Sequence, residues 1–414
     1  METQIMKRII VAFVFMLLLV GCSDHGTEPI NDNEHGKSQD IYIAVPYSTD
    51  NLFGFKLFSL INENETEKNK NVIISPFSIS MALGMALNGA DGATLDSMKK
   101  VLERSNLTLQ NINESYRISF SLLTQLDPDV VLQIANSIWC EKNFTVYETF
   151  LHDCKNYFNA EVASLDFSSP DAVQVINNWV SSKTNGKIEQ ILQRIPGDAV
   201  MYLINALYFK GVWTYQFDPS YTKEFNFITS QGNIVPCNMM SQKAVFAYKE
   251  TDEAQIIDLP YGNRSFSMTI ILPKEGIDID QYAVNLSDSK WVELVNGLDS
   301  TEVNLSIPKF KLEYEKSLIQ ELSAMGMSMA FDSDANFSRI SSVSTYISEV
   351  RHKTFIETNE EGTEAAAVTV IEFVRTLTQN NTVMLINHPF IFAIREHTSG
   401  SILLMGKIVA PTKD

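Results

Sequence analysis

Glu360-Glu361-Gly362-Thr363-Glu364-Ala365-Ala366-Ala367, running on into Val368-Thr369-Val370-Ile371-Glu372-Phe373-Val374-Arg375-Thr376-Leu377, is the stretch on which the fold turns. Successive side chains of a strand point to opposite faces. Taken with that period of two, the odd positions Thr363, Ala365, Ala367, Thr369, Ile371 and Phe373 carry no charge, while the even positions include Glu364 and Glu372. Such a segment can lie within a sheet, its small uncharged face on a core and its acidic face toward water. Its first residues are small enough to slip between strands already packed. The alternatives are an ordinary edge strand or a short helix through Ala365 to Val368.

The chain has 414 residues, a formal net charge of −18 and hydrophobic and charged fractions of 45% and 20%. Those fractions are ordinary for a globular protein. The acidic balance argues against nucleic acid and against electrostatic docking on anionic lipid. At the N-terminus, Lys7-Arg8 precede an unbroken apolar run from Ile9 to Val20. A run of ~12 residues is short of the ~20 that a spanning helix needs and fits a secretory signal over residues 1–21. Leu19-Val20-Gly21-Cys22 resembles a bacterial lipobox, in which the cysteine becomes the lipid-modified first residue. The alternative is a plain signal peptide cut nearby, with Cys22 incidental. Residues 22–45 are then an anchor and polar tether, expected to be disordered. By this reading the protein sits in the cell envelope, lipid-anchored to a bacterial outer membrane or cell surface. Cys140, Cys154 and Cys237 remain; they have no metal-ligand spacing and read as buried free thiols.

From residue 46 to 414 the sequence reads as one continuous domain. A helix is expected from Thr49 to Asn62. Asn71 to Ser78 is a short apolar strand that runs into Ser75 as helix cap and Pro76 as first helical residue. The helix that follows, Phe77 to Asn88, is apolar nearly all round and belongs in the interior. Amphipathic helices are expected over Ala93–Arg104, Leu109–Leu126, Tyr147–Phe158 and Asp171–Thr184, the last begun by a Ser169 cap and Pro170. Strands are expected over Val130–Trp139, Ala199–Lys210, Ala254–Leu259, Phe266–Leu272, Val303–Leu312 and Tyr346–Thr358. Hairpins turn at Gly262-Asn263 and between Phe390–Arg395 and Ile402–Val409. Helices dominate the first half and strands the second, an α+β arrangement with large mixed sheets.

These segments resemble, in order and spacing, the serpins, protease inhibitors that insert their own reactive loop into a sheet. The likeness rests on the hinge Glu360–Ala367, on Asn71–Ser78, on Asn177-Asn178-Trp179-Val180 with Thr184-Asn185-Gly186-Lys187-Ile188, and on Leu203–Trp213. Val350-Arg351-His352-Lys353, Asn387-His388-Pro389-Phe390 and Leu404-Met405-Gly406-Lys407-Ile408 complete it. The resemblance implies three β-sheets, about eight or nine helices and an exposed reactive loop over about 360–383. It also implies a monomer that needs no cofactor or metal and whose partners are target proteases. By the same likeness Ser75, Ser78, Asn205 and His352 form a polar cluster beneath the strands that must part. Trp213, Lys309 and Glu360 lie where the loop first goes in, with a Lys309–Glu360 ion pair. For His352 the plain alternative is a satisfied core histidine.

An enzyme is disfavoured. Gly-x-Ser-x-Gly, His-Glu-x-x-His, phosphate-loop and dinucleotide motifs do not occur. The histidines outside the tether are His152, His352, His388 and His397, scattered singly. A non-inhibitory serpin, acting as a binding or chaperone module, is the stronger alternative. A proline or a bulky or charged odd-face residue between Thr363 and Thr369 would mark it, and none is present. Counting from Glu360 by the family's commonest spacing places the cut between Thr376 and Leu377, which suits elastase-like, subtilisin-like and papain-like proteases. A register one residue shorter places it between Arg375 and Thr376, which suits trypsin-like ones.

Overall fold

The computed structural model describes residues 37–197, 199–363 and 382–411. By contacts the chain divides into residues 1–40 and 41–414. Of the first unit only the opening turn of a helix is described. Everything below concerns the second.

Among the described residues fifteen strands follow one another: β1 (Val72–Ile74), β2 (Val130–Glu141), β3 (Ala160–Leu165), β4 (Met201–Val212), β5 (Lys223–Ile228), β6 (Ile234–Glu250), β7 (Ala254–Tyr261), β8 (Phe266–Pro273), β9 (Asp299–Pro308), β10 (Phe310–Ser317), β11 (Arg351–Thr358), β12 (Gly362–Thr363), β13 (Thr382–Leu385), β14 (Phe390–Glu396) and β15 (Ile402–Ile408). They form two hydrogen-bonded sheets. The main one has the order β10-β11-β12-β4-β2-β3, and the other runs β1-β15-β14-β8-β7-β6-β9-β13 with β5 on β6. The second and third sheets implied by the resemblance are continuous here. The 17-residue β6 joins them, pairing with β5 and β9 along most of its length and with β7 at its end.

Helices wrap these sheets. α1 (Lys37–Glu63) begins well before the expected Thr49 and takes in part of the stretch assigned to a tether. Elongating a helix from an anchored end is far easier than starting one. α2 (Pro76–Leu87) is capped by Ser75 and almost wholly buried, as its uniform apolarity predicts. α3 (Gly92–Val101), α4 (Leu109–Leu123) and α5 (Glu148–Phe158) pack with α2 beside the core. α6 (Ala172–Lys183) starts after Asp171, not at Pro170, and Ser169 instead accepts a hydrogen bond from the Asp171 N–H. α7 (Ile279–Asn285), α8 (Asp288–Val295) and the single turn α9 (Ile319–Leu322) complete the set of described α-helices.

The main sheet is covered on both faces, and the two coverings differ in kind. Its inner face shares the large core that includes Phe77, Ile134, Leu207, Phe209 and Ile356. Its outer face carries a separate small core, in which Ile176 and Val180 of α6 and Ile188, Ile191 and Leu192 of the returning chain meet Trp139, Ile204 and Ala206. Asn177 pins that return. Its Oδ1 accepts from the Ile191 and Leu192 N–H groups and its Nδ2 donates to the Leu192 carbonyl. Thus α6 lies on the sheet as a cover with its own core, packed against β2 and β4.

Both expected hairpins form, β7–β8 turning at Gly262-Asn263 and β14–β15 closing the chain. The expected strand Val303–Leu312 is two strands. The chain leaves β9 at Pro308 and enters β10 in the other sheet at Phe310, across Lys309. Tyr346 to Val350 precede β11 without joining it. Cys140, Cys154 and Cys237 are free and buried, and burial pushes the Cys140 thiol up to about 11. Among the described residues no helix is long and apolar enough to cross a membrane.

Candidate functional site

β11 alternates buried and partly exposed residues, which puts His352, Thr354, Ile356 and Thr358 on the core side. β10 pairs with one edge of β11 along its whole length, and β2 pairs with one edge of β4 from Met201 to Gly211. On the facing edges the only described pairing is made by β12. Gly362 and Thr363 sit opposite Val212 and Gly211 of β4, and Thr363 sits opposite Thr358 of β11. Gly362 and Thr363 of the hinge are therefore already in the sheet, antiparallel to both neighbours. Below them, among the described residues, no ladder joins β4 to β11.

Several contacts hold this mouth. The Trp213 N–H donates to the Glu361 carbonyl (2.8 Å), its indole N–H to the Asn359 carbonyl (3.0 Å), and the Phe217 N–H to the Glu360 carbonyl (2.9 Å). Asn359 Oδ1 accepts from the Glu361 and Gly362 N–H groups, which fixes the tight turn from β11 into β12. Gly362 is needed at that turn. A β-carbon there would stand 2.1 Å from the Gly211 carbonyl oxygen. The Lys309 ammonium lies 3.1 Å from Glu360, and the Thr222 hydroxyl donates to the same carboxylate. Burial pushes the Glu360 carboxyl up, but these hydrogen bonds and the lysine outweigh it and its pKa falls below the ordinary value. The pair is mostly buried, so it is screened less than an exposed one.

Thr363 is fully enclosed. Its Oγ1 lies 2.6 Å from the hydroxyl of Tyr261, at the end of β7 in the other sheet. The Tyr261 ring stacks on Trp213 with centroids 4.4 Å apart and planes 10° apart. Tyr261, Asn359, Thr222 and Phe217 were not foreseen from sequence.

The polar cluster forms in part. The Ser75 N–H donates to His352 Nε2 (3.1 Å), the Ser75 hydroxyl donates to the Leu403 carbonyl (2.6 Å), and its oxygen accepts from the Ser78 N–H. Because Nε2 accepts, the ring proton lies on Nδ1. Asn205 bonds elsewhere, its amide donating to Asn136 Oδ1 on β2, while Asn136 donates to the Phe158 carbonyl. So Ser75, Ser78 and His352 are tied together, and Asn205 belongs to an asparagine pair across β4 and β2. Glu364 to Ala367, the bonds around Arg375, Thr376 and Leu377, and Cys22 lie outside the described residues.

Burial pushes the His352 imidazole down to about 3. An unfolded histidine titrates near 6.5. Between these values the unfolded chain binds the proton and the folded chain does not. The stability held by neutral His352 is therefore complete above ~6.5 and is lost as pH falls toward 3, by about 1.4 kcal/mol per pH unit. Urea unfolding at pH 7, 6 and 5 should show this slope in the wild type and lose it in His352→Gln. Equal slopes in the two proteins would mean that the imidazole is not held neutral.

A serine, a histidine and an aspartate do meet, at Ser267, His397 and Asp258. Both Ser267 (2.9 Å) and His397 Nε2 (3.2 Å) address the carboxylate, not each other, so the serine has no base. This is a buried carboxylate with its donors, which include Arg395.

The geometry described above matches known proteins throughout. A family profile described as "Serpin (serine protease inhibitor)" matches residues 48–411. The chain is 35% identical over 374 residues to an uncharacterized serpin-like protein of Methanosarcina acetivorans, covering 88% of this chain and 87% of that protein. It is 34% identical over 360 residues to human neuroserpin, covering 84% and 87%. Neither name speaks of a lipid anchor, and one of these relatives is archaeal. The native-state crystal structure of tengpin, a thermophilic serpin, superposes with a TM-score of 0.80 at 32% identity, covering 94% of this chain and 97% of that one. With the α+β architecture and the seated hinge, these matches show that the chain belongs to the serpin family, whose members are generally protease inhibitors and not enzymes.

Proposed function

We propose that this protein is a single-use protease inhibitor that traps its target by inserting its own cleaved loop into the main sheet. The observation that carries the reading is the hinge. Gly362 and Thr363 are paired between β4 and β11, as the opening of a strand inside the main sheet. The loop beyond Thr363 is the bait. The target's nucleophile attacks the carbonyl before the cut bond, the new C-terminal fragment leaves as an amine, and an ester joins inhibitor and protease. Cutting frees the loop to continue the strand that β12 begins. About fourteen residues at ~3.3 Å each make about 46 Å of ladder. The esterified protease is carried along and its active site is pulled out of shape before water can release it.

The bond cut is Thr376–Leu377 by the family's commonest spacing and Arg375–Thr376 in the shorter register. Incubation with elastase and with trypsin tests both points. A complex that survives SDS is expected with at least one of them, and the sequence of the released peptide begins at Leu377 or at Thr376. Quantitative cleavage without any stable complex would favour the non-inhibitory, binding-module reading.

We further propose that Cys22 carries a lipid that holds the inhibitor at the cell envelope, on an outer membrane or cell surface. The support is the short apolar signal before it and the polar segment after it. Cys22→Ala should move the protein from the membrane fraction to the soluble one. Retention of the variant in membranes would refute the anchor.

A further inference from the structure

We propose that Tyr261 is a positioning residue for trapping: its hydroxyl holds Thr363 in the sheet before any cut, so that insertion starts from a strand already begun. This rests on the inhibitory reading above and names a residue that acts in it.

The Tyr261 hydroxyl is fully buried, and among the described residues its hydrogen-bond partner is Thr363 Oγ1, 102 positions away in sequence. The ring cannot swing to find another. Trp213 stacks on one side, Phe209 meets it edge-on with centroids 5.2 Å apart, and Gly211 backs it so closely that a β-carbon there would lie 2.8 Å from the ring. A buried hydroxyl without a partner is unfavourable. With the hinge withdrawn, Tyr261 would be left in that state, so the slot itself favours the seated hinge. Thr363 is the first odd-face side chain of the inserting segment, and Tyr261 is the group that matches it. The contacts of Glu360 and Asn359 fix the turn above. The Tyr261 contact is made to a side chain inside the sheet.

The seated state bears on a race. After acylation, water competes with insertion. Starting a strand between two others is the slow, unfavourable part, and adding residues to an existing pairing is easier. By holding Gly362 and Thr363 in register with Gly211 and Val212, Tyr261 removes the starting step. The initial attack on the bait is a separate event.

The test is Tyr261→Phe, which keeps the ring and its stacking and removes only the hydroxyl. Two quantities are measured with the protease that forms the complex: the rate of bait cleavage and the number of inhibitor molecules consumed per protease trapped. Bait cleavage should change less than about twofold, and consumption should rise roughly three- to tenfold, the scale of one lost buried hydrogen bond. Thr363→Val should reproduce the rise, Thr363→Ser should not, and Tyr261→Phe in the Thr363→Val background should add nothing. Unchanged consumption in Tyr261→Phe, or a full additional effect in the double variant, overturns the proposal while leaving the inhibitory reading intact. If wild-type protein traps neither elastase nor trypsin, the inhibitory reading falls first and this inference with it. A Tyr261→Phe protein that melts like the wild type and still shows the rise excludes general loosening as the cause.

Discussion

Thr363→Arg should convert the inhibitor into a substrate. In the native chain this side chain is enclosed between β4, β11 and Tyr261, and its one polar atom is satisfied there. A guanidinium in the same place would be buried beside the Tyr261 and Trp213 rings, at a cost of several kcal/mol. The hinge would stay out and the new strand would have to form around a charge. Each ~1.4 kcal/mol added to the insertion barrier shifts the race with hydrolysis about tenfold. A loss of about 3–5 kcal/mol therefore lowers the ratio of trapping to hydrolysis by roughly two to four powers of ten. The bait bond lies about a dozen residues further along the sequence, so cleavage should continue at the same bond and near the same rate. Gel analysis should show cut inhibitor and free active protease. An undiminished covalent complex would count heavily against insertion.

The second large effect is on stability. Cleavage anywhere from about Glu372 to Leu377 lets the segment after Thr363 complete the main sheet. It then gains a ladder on both edges, and the odd-face residues Ala365, Ala367, Ile371 and Phe373 gain a core face. The nicked chain should melt tens of degrees above the intact one, the size that the family resemblance implies. For a domain of this length one degree corresponds to roughly 0.8 kcal/mol. Twenty degrees then requires about 1.1 kcal/mol net from each of about fourteen inserted residues, within the ~0.5–1.5 kcal/mol that one hydrogen bond contributes. A nick destabilises or leaves unaltered most proteins, so the sign is informative. Equal melting temperatures would leave the fold standing and favour a non-inhibitory role.

Local sequence carried much of this fold because local chemistry and tertiary demand agree there. Ser75-Pro76 at the head of an all-apolar helix, the Gly262-Asn263 turn and the closing hairpin each specify themselves. Of the hinge, Gly362 and Thr363 form strand as its period of two led us to expect, and its small residues after Thr363 lie outside the described ones. Where the reading failed, the deciding contact was distant. The run from Val303 to Leu312 keeps one apolar alternation while crossing between sheets at Lys309, and periodicity does not record which sheet a strand joins. The β5–β6 hairpin gives little signal in sequence because β5 is largely exposed and both strands carry polar residues at many positions. Asn205 was placed with His352 by family likeness, whereas its amide is taken by Asn136, a partner 69 residues earlier. Tyr261 reads in sequence as one more aromatic at a strand end. Only the approach of the two sheets brings its hydroxyl to Thr363. A tyrosine whose ring is wholly buried must place its hydroxyl somewhere, and that was the available signal.

Amide hydrogen exchange on intact and loop-nicked protein tests loop insertion most directly. The amides of interest lie on the facing edges of β4, between Leu203 and Leu207, and of β11, between Arg351 and Glu357. In the intact chain those that point across the gap should exchange readily, in contrast to their neighbours bonded to β2 and β10. After the nick they should become as protected as the rest of the sheet, in one cooperative step. Unchanged exchange on both edges after complete cleavage would contradict insertion of the loop into the main sheet.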